Sequence, residues 1–275
     1  MSIRVRDVLM RELEALRHEP TQKRIRAELG ARTVVDSTRA LLVWEPKRVV
    51  PSYAVPVEDV AGEIVEGAGN GGAQAATDLP QLAGRPVLDP SVPFSFRTTE
   101  GDAVTVRLAD GEGEAAGFLP ADPALADHVI LDFDAFDAWY EEDERNVGHP
   151  RDPFHRIDIV HSSRQVRVER EGVVLADSAG AHMLFEPPLP VRYYLPREDV
   201  RMDLLRPSDK RTFCAYKGEA SYWSLAGEDD VAWTYVEPLR EAAEVAGRVA
   251  FFNEWTEIVV DGTPLERPVT PWSRR

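Results

Sequence analysis

The chain contains a single cysteine, Cys214, so no intrachain disulfide can form, as expected in a reducing compartment. No window approaches the roughly 20 consecutive apolar residues that a membrane-spanning helix requires. The first residues, MSIRVRDVLMRELEALRHE, are charged throughout and lack the apolar centre of a secretory signal. These absences predict a cytoplasmic protein with no membrane partner. Positive charge is also scarce: 32 basic residues stand against 48 acidic ones, for a net charge of −16. Nonspecific binding to a phosphate backbone needs a basic surface, so nucleic acid is not an expected partner. The acidity is read as serving solubility.

What is present is an ordinary globular composition, 43% hydrophobic and 29% charged, on 275 residues, which is long enough for two domains. Val8, Leu9, Leu13 and Leu16 fall at near-helical spacing, so an N-terminal amphipathic helix is predicted over Arg6–His18, within residues 1–22 and ending near Pro20. Beyond it the sequence repeats itself. KRIRAELGARTVVDSTRALLVWEP pairs with RQVRVEREGVVLADSAGAHMLFEP, which matches Asp36-Ser37 to Asp177-Ser178 and Glu45-Pro46 to Glu186-Pro187. Each copy alternates apolar and polar residues around Gly30 or Gly172, the pattern of a β-hairpin. YAVPVEDV then pairs with YLPREDV, and Leu88–Leu108 pairs without a gap with Leu205–Leu225. Pro123 falls on Pro238, and a short helix is expected at Leu239–Val245.

Self-similarity over more than a hundred residues is a duplicated domain rather than a solenoid, whose periods are far shorter. The expected organisation is a first repeat at 23–160 and a second at 161–275. An insertion at 61–87 includes the glycine-alanine run GAGNGGAQAATD, read as a flexible loop. Short strands, hairpin turns and one short helix per copy predict a mostly-β fold.

The richest chemistry lies in Leu205–Leu225, LRPSDKRTFCAYKGEASYWSL. Tyr216, Tyr222, Trp223, Trp233 and Tyr235 have the density to wall a pocket, although aromatics at strand spacing also serve as plain core. Lys217 beside Gly218 can present an ammonium to an anionic group, or it can be a solvated residue in a turn. Cys214 can act as a nucleophile near Lys217 and Lys210, but no histidine is near it in sequence, which favours a buried structural thiol. His149, Asp152 and His155 lie in HPRDPFHR, where two imidazoles and a carboxylate suit a metal site, an acid-base pair or a rigid turn. The spacing matches no defined metal motif, and no metal or other cofactor is expected. Arg192 and Arg201 are candidates to grip an anion, with an interstrand ion-pair ladder through Arg197–Asp203 as the structural alternative. Glu141–Glu144 reads as a solvated face.

Four motifs, ADS at Ala176–Ser178, YYLPREDVRMDLL, CAYKGEASYW and DAWYEEDERNVGHPRDPFHRIDI, resemble a bacterial family known as domain of unknown function 427. The resemblance covers nearly the whole chain as two tandem copies. It implies a β-tent-like fold, similar to methionine sulfoxide reductase B and the cereblon ligand-binding domain. Some of those relatives hold zinc with paired CxxC motifs, and a lone Cys214 excludes that here. The family is sometimes labelled nucleotidyltransferase-like, but neither a glycine-rich phosphate loop nor a paired-aspartate metal motif is recognisable. Copy two keeps PREDVRMDLL and CAYKGEASYW, whereas copy one keeps EEDERNVGHPRDPFHR. Either one site draws on both copies or each has drifted separately. The expected function is binding of a small polar or aromatic ligand by Tyr216, Lys217, Tyr222 and Trp223, with Arg201 and the His149–His155 loop as further candidates. The alternatives are an enzyme of transferase or redox type using Cys214 or Lys217, and an interaction scaffold without a pocket.

Overall fold

The computed structural model describes residues 2–67, 79–82, 84–109 and 111–273. The chain is mostly β and divides into two compact units. One comprises Met1–Pro80 with Pro86–Asp152, and the other Gln81–Arg85 with Pro153–Arg275. Among the described residues no helix is long and apolar enough to cross a membrane.

Each unit contains a seven-stranded antiparallel sheet. In the first unit the spatial order is Arg17–Pro20, Leu41–Trp44, Ser52–Pro56, His128–Leu131, Glu114–Pro120, Gly101–Arg107, Glu63–Glu66. In the second it is Asp158–Ser162, Ala181–Phe185, Arg192–Leu195, Val249–Phe251, Glu228–Thr234, Gly218–Leu225, Arg206–Cys214. The two series run in the same connectivity. Each unit also has a four-stranded sheet built on the predicted hairpin. Ile25–Leu29 and Arg32–Ser37 join Ala138–Glu141 and Glu144–Asn146, and Val166–Arg170 and Val173–Ser178 join Glu257–Val260 and Thr263–Pro264. The hairpin turns place two successive residues at positive φ, Gly30-Ala31 and Glu171-Gly172, the backbone twist that matches the flanking strands.

Period-two alternation explains how the sheets pack. Ile25, Ala27 and Leu29 are buried while Arg26 and Glu28 between them are half-exposed. They meet Leu42, Tyr53, Val55, Val104 and Val106 of the larger sheet in one core. The other unit repeats this with Val166, Val168, Tyr193, Leu195, Val231 and Phe251. The Asp-Ser pairs acquire a common role here. Ser37 Oγ donates to Asp59 Oδ2 and Ser178 Oγ to Asp199 Oδ2, both at 2.6 Å. Each serine oxygen also accepts a backbone N–H two residues on, tying the hairpin to the 3₁₀ turn at Val57–Asp59 or Arg197–Asp199.

Three expectations need correction. The N-terminal helix is limited to Val5–Leu9, followed by a 3₁₀ turn at Arg11–Glu14, while Arg17–Pro20 is a strand paired with Leu41–Trp44. A helix this short is marginal alone, and a sheet edge satisfies the backbone of the following residues instead. The pairing of Leu88–Leu108 with Leu205–Leu225 holds structurally only from Gly101 and Gly218 onward. Arg206–Cys214 is an edge strand, but its place in the first unit is taken by Glu63–Glu66, inside the stretch read as a loop. Residues 68–78 and 83 of that stretch lie outside the described residues. Finally, the region expected to form an interstrand ion ladder is two 3₁₀ turns, Arg197–Asp199 and Met202–Leu204.

Candidate functional site

The outer face of the second seven-stranded sheet, away from the four-stranded one, is lined by Tyr194, Tyr222, Trp233, Tyr235 and Phe252. The matching face of the first unit is small and aliphatic apart from one ring: Val43, Ala54, Phe118, Leu125 and Ile130. Register makes the substitution explicit. Ala54 lies opposite Leu41 and Ile130, and Tyr194 lies opposite His182 and Ala250. Tyr194 accepts a hydrogen bond from Trp233 Nε1 at 3.0 Å. Burial pushes the phenols of Tyr194 and Tyr235 above their ordinary range, so both stay neutral.

Lys217 enters this face from an unusual place. Ala215, Tyr216 and Lys217 form the tight connection between Arg206–Cys214 and Gly218–Leu225, and all three are buried, Lys217 at 6% exposure. Connections normally run over the surface, where water satisfies their backbone groups. Here the Lys217 carbonyl accepts from Leu239 N at 3.1 Å. Gly218 has φ +87°, and a Cβ there would meet Leu239 Cγ at 3.3 Å, so glycine allows both the turn and the close approach.

The ammonium donates to Glu186 Oε2 at 2.6 Å. His155 Nε2 stands 3.8 Å from Glu186 Oε1, outside direct hydrogen-bond range. Burial works against the Glu186 carboxylate, but the Lys217 charge and the neighbouring His155 outweigh it and hold the group down at about 2. Lys217 moves the other way. Burial opposes its charge, but Cys214, Glu186 and Tyr194 around it hold it above the usual ammonium range. A lysine held protonated is a donor and a point charge, not an amine nucleophile. The pair is not sealed: the side chain of His155 is 23% exposed and that of Glu186 12%. Tyr216 lies beneath His155, with ring centroids 6.1 Å apart, and beneath the Arg156 guanidinium at 5.1 Å, which is itself paired with Glu241 at 2.5 Å.

The predicted site residues divide. Tyr216, Lys217 and His155 come together, and Tyr222 shares the aromatic face, where its hydroxyl meets Thr212 Oγ1 at 2.8 Å and Lys210 lies over its ring at 4.7 Å. Trp223 does not join them. As the next residue on the same strand it points to the opposite side, against the inter-sheet core and beneath Arg197 at 4.7 Å, so a single wall containing both Tyr222 and Trp223 is not formed. Arg201 is an exposed residue forked onto Asp203 at 2.7 and 2.8 Å. His149 and Asp152 belong to the first unit. His149 Nδ1 lies 2.7 Å from the Pro150 carbonyl, and Asp152 accepts from Trp44 Nε1 at 3.1 Å. Arg192 is buried and grips Glu254 with two bonds at 2.7 and 2.8 Å, so its anion is supplied internally. Cys214 is half-buried at a strand end, opposite Gly218. Glu141 is not part of a solvated face: it is buried and accepts from Tyr53 OH at 2.7 Å and Lys23 Nζ at 2.5 Å. Among the described residues no three His, Cys, Asp or Glu side chains converge as a metal-ligand set.

Glu186 was visible in sequence only as the repeat partner of Glu45, and that link was its usable signal. Glu45 is also buried and ion-paired. Its Oε2 accepts from Arg97 at 3.1 Å and its Oε1 from Thr98 N at 3.0 Å, while Arg97 also bonds Asp132. All three side chains are nearly inaccessible.

The fold is thus of the mostly-β class, with a charged cluster on an aromatic sheet face in the second unit. Residues 158–262 match the model of a family described as a domain of unknown function (DUF427), which supports one copy of that domain there. No curated protein matches the chain.

Proposed function

We propose that the second unit binds a small polar or aromatic ligand at the rim formed by Glu186, Lys217, His155 and Tyr216. The observation that carries this reading is the buried Ala215–Lys217 turn, which brings an ammonium into an aromatic face and leaves its carboxylate partner reachable beside a partly exposed imidazole. Buried ion pairs seldom add stability over apolar residues of the same size, so a pair left open at one edge is better explained by recognition than by folding. A ligand there meets an acceptor (Glu186), a charged donor (Lys217) and two flat rings (Tyr216, His155), which suits a planar molecule with both hydrogen-bond donors and acceptors.

The same proposal takes the two units as tandem copies of one β-tent-like domain. Their identical strand order and the paired Ser37–Asp59 and Ser178–Asp199 bonds support this. A cytoplasmic location fits the single cysteine.

The test is a thermal-shift screen of the purified chain against a metabolite library, repeated on His155→Gln and Lys217→Met. A stabilising compound whose shift is lost in His155→Gln, a variant at the accessible rim, is expected. A library without hits, or hits indifferent to both substitutions, defeats the reading. The rival is an enzyme using Cys214, which is half-buried at the strand end opposite Gly218, the residue after Lys217. Alkylation kinetics separate the two. Saturating ligand protection with slow basal alkylation fits binding, whereas rapid alkylation lost in Lys217→Met fits an activated thiol.

A further inference from the structure

We infer that His161, His182 and Arg248 of the second unit form a binding site for a small oxyanion of the phosphate type. His161 and His182 are direct cross-strand partners on Asp158–Ser162 and Ala181–Phe185, with ring centroids 5.4 Å apart at 73°. Directly opposed residues on antiparallel strands project from the same face, so both imidazoles are available to one ligand. Arg248 reaches the same corner, donating from Nη1 to the carbonyl of Gly180, two residues before His182, at 3.0 Å.

One carboxylate, Glu244, acts on His182 against both Arg248 and His161. Among the described residues the Arg248 side chain makes that one hydrogen bond and no ion pair, although the chain carries 48 acidic residues against 32 basic ones. His182 Nδ1 is shielded from solvent without a hydrogen-bond partner. The groups facing His182 are His161 from the neighbouring strand, Tyr194 from the other, Glu244 from the 3₁₀ turn Arg240–Val245 and Arg248 just after it. Burial, then Arg248 and His161, hold the imidazole below its ordinary range, and Glu244 only partly offsets them. Three groups able to carry positive charge, gathered at one corner around the partly desolvated His182, are the complement of an anion. A guanidinium fork with two imidazolium N–H donors suits the several acceptor oxygens of a phosphate group.

The first unit supplies a contrast. The positions in equivalent register there are Pro20 and Leu41, which have no such chemistry. The cluster is therefore not a requirement of the fold. It shares no residue with the Lys217 rim, so either reading can fail without the other.

The experiment follows the ring resonances of the six histidines by NMR during titration with inorganic phosphate at about pH 6, with chloride holding ionic strength constant. His161 and His182 are expected to shift saturably and to titrate at higher pH when phosphate is present, while the other four stay in place. Arg248→Gln should weaken phosphate at least tenfold with the spectrum otherwise native, and His161→Gln, on an exposed strand edge, gives a second reading should Arg248→Gln not fold. A parallel titration with acetate should give a weaker response. Absence of a saturable shift, equal movement of all six rings, unchanged affinity in the folded variants, or tighter acetate binding would each overturn the site.

Discussion

Glu45 and Glu186 occupy matching positions just after matching strands, and each faces a buried cation, yet the two arrangements differ in kind. In the first unit Arg97 bridges Glu45 and Asp132, a backbone N–H completes the carboxylate, and the Arg97 side chain is 3% exposed. In the second, Lys217 makes a single contact with Glu186, and His155 leaves the cluster open to solvent. The cause is topological. The cation of the second unit sits in a tight hairpin turn immediately before Gly218. The first unit has no such hairpin, because Glu63–Glu66 supplies the edge strand, and Leu88–Glu100 is free to loop inward with Arg97. A planar fork surrounded by acceptors makes a structural knot, whereas a point charge with one partner and a titratable neighbour keeps capacity for a ligand.

The comparison is broken most severely by removing each cation. Arg97→Met leaves two carboxylates buried together and should cost about 5 kcal/mol, whereas Lys217→Met, whose partner Glu186 can reach water, should cost about 3 kcal/mol. Urea unfolding of both variants checks the order. If Lys217→Met is the worse of the two, Glu186 is not the open member of the pair. Adding Glu186→Gln to Lys217→Met should recover much of the loss, since the orphaned charge is removed with its partner.

Acid probes the same contrast without mutation. The carboxyl of Glu186 is held at about 2 against an ordinary 4.5, a depressed value, so its contribution is complete above about pH 4.5 and drains away as pH falls toward 2. Roughly 3 kcal/mol should be lost across that window, and the slope should flatten in the Glu186→Gln, Lys217→Met double variant. A double variant with the wild-type acid slope rules out Glu186 as its source.

Smaller effects come from the two shared glycines. A Cβ at Gly101 would lie 2.2 Å from the Leu119 carbonyl and 2.6 Å from Phe118 Cζ, whereas at Gly218 the nearest atom is the flexible Leu239 Cγ at 3.3 Å. Gly101→Ala should therefore destabilise by about 3 kcal/mol and Gly218→Ala by about 1.5 kcal/mol, measured by thermal unfolding. The smallest test is one of sameness. Ser37→Ala and Ser178→Ala each remove one charge-assisted bond in equivalent settings and should cost about 1.5 kcal/mol apiece, within error of one another. A clear inequality would show that the two hairpin locks are not equivalent.

Much of the fold was legible from residue pattern. Alternation around Gly30 and Gly172 marks the hairpins, and the internal pairings identify Asp36-Ser37 with Asp177-Ser178 and Glu45 with Glu186. The site was legible in part. Aromatic density and the Lys-Gly step pointed to Tyr216, Lys217 and Tyr222, but Trp223 was assigned to the same wall although its neighbour's strand position sends it to the other face. Arg192 and Arg201 illustrate a different failure. Both are plausible anion grips as isolated residues, and both are committed to carboxylates, Glu254 and Asp203, one of them 62 residues distant in the chain. The complement of a charge is set by folding and leaves no local trace.

The sequence by itself determined the local units: period-two strands, positive-φ turns, and recurring Asp-Ser and Glu-Pro landmarks, because these depend on backbone geometry and near neighbours. Only the tertiary structure decided which strand edges the first sheet, whether Leu88–Phe96 extends or loops, and which cation meets each conserved-register carboxylate. Those outcomes rest on competition among distant partners for one buried place. The winner there is chosen by how completely burial, hydrogen bonding and charge are satisfied together.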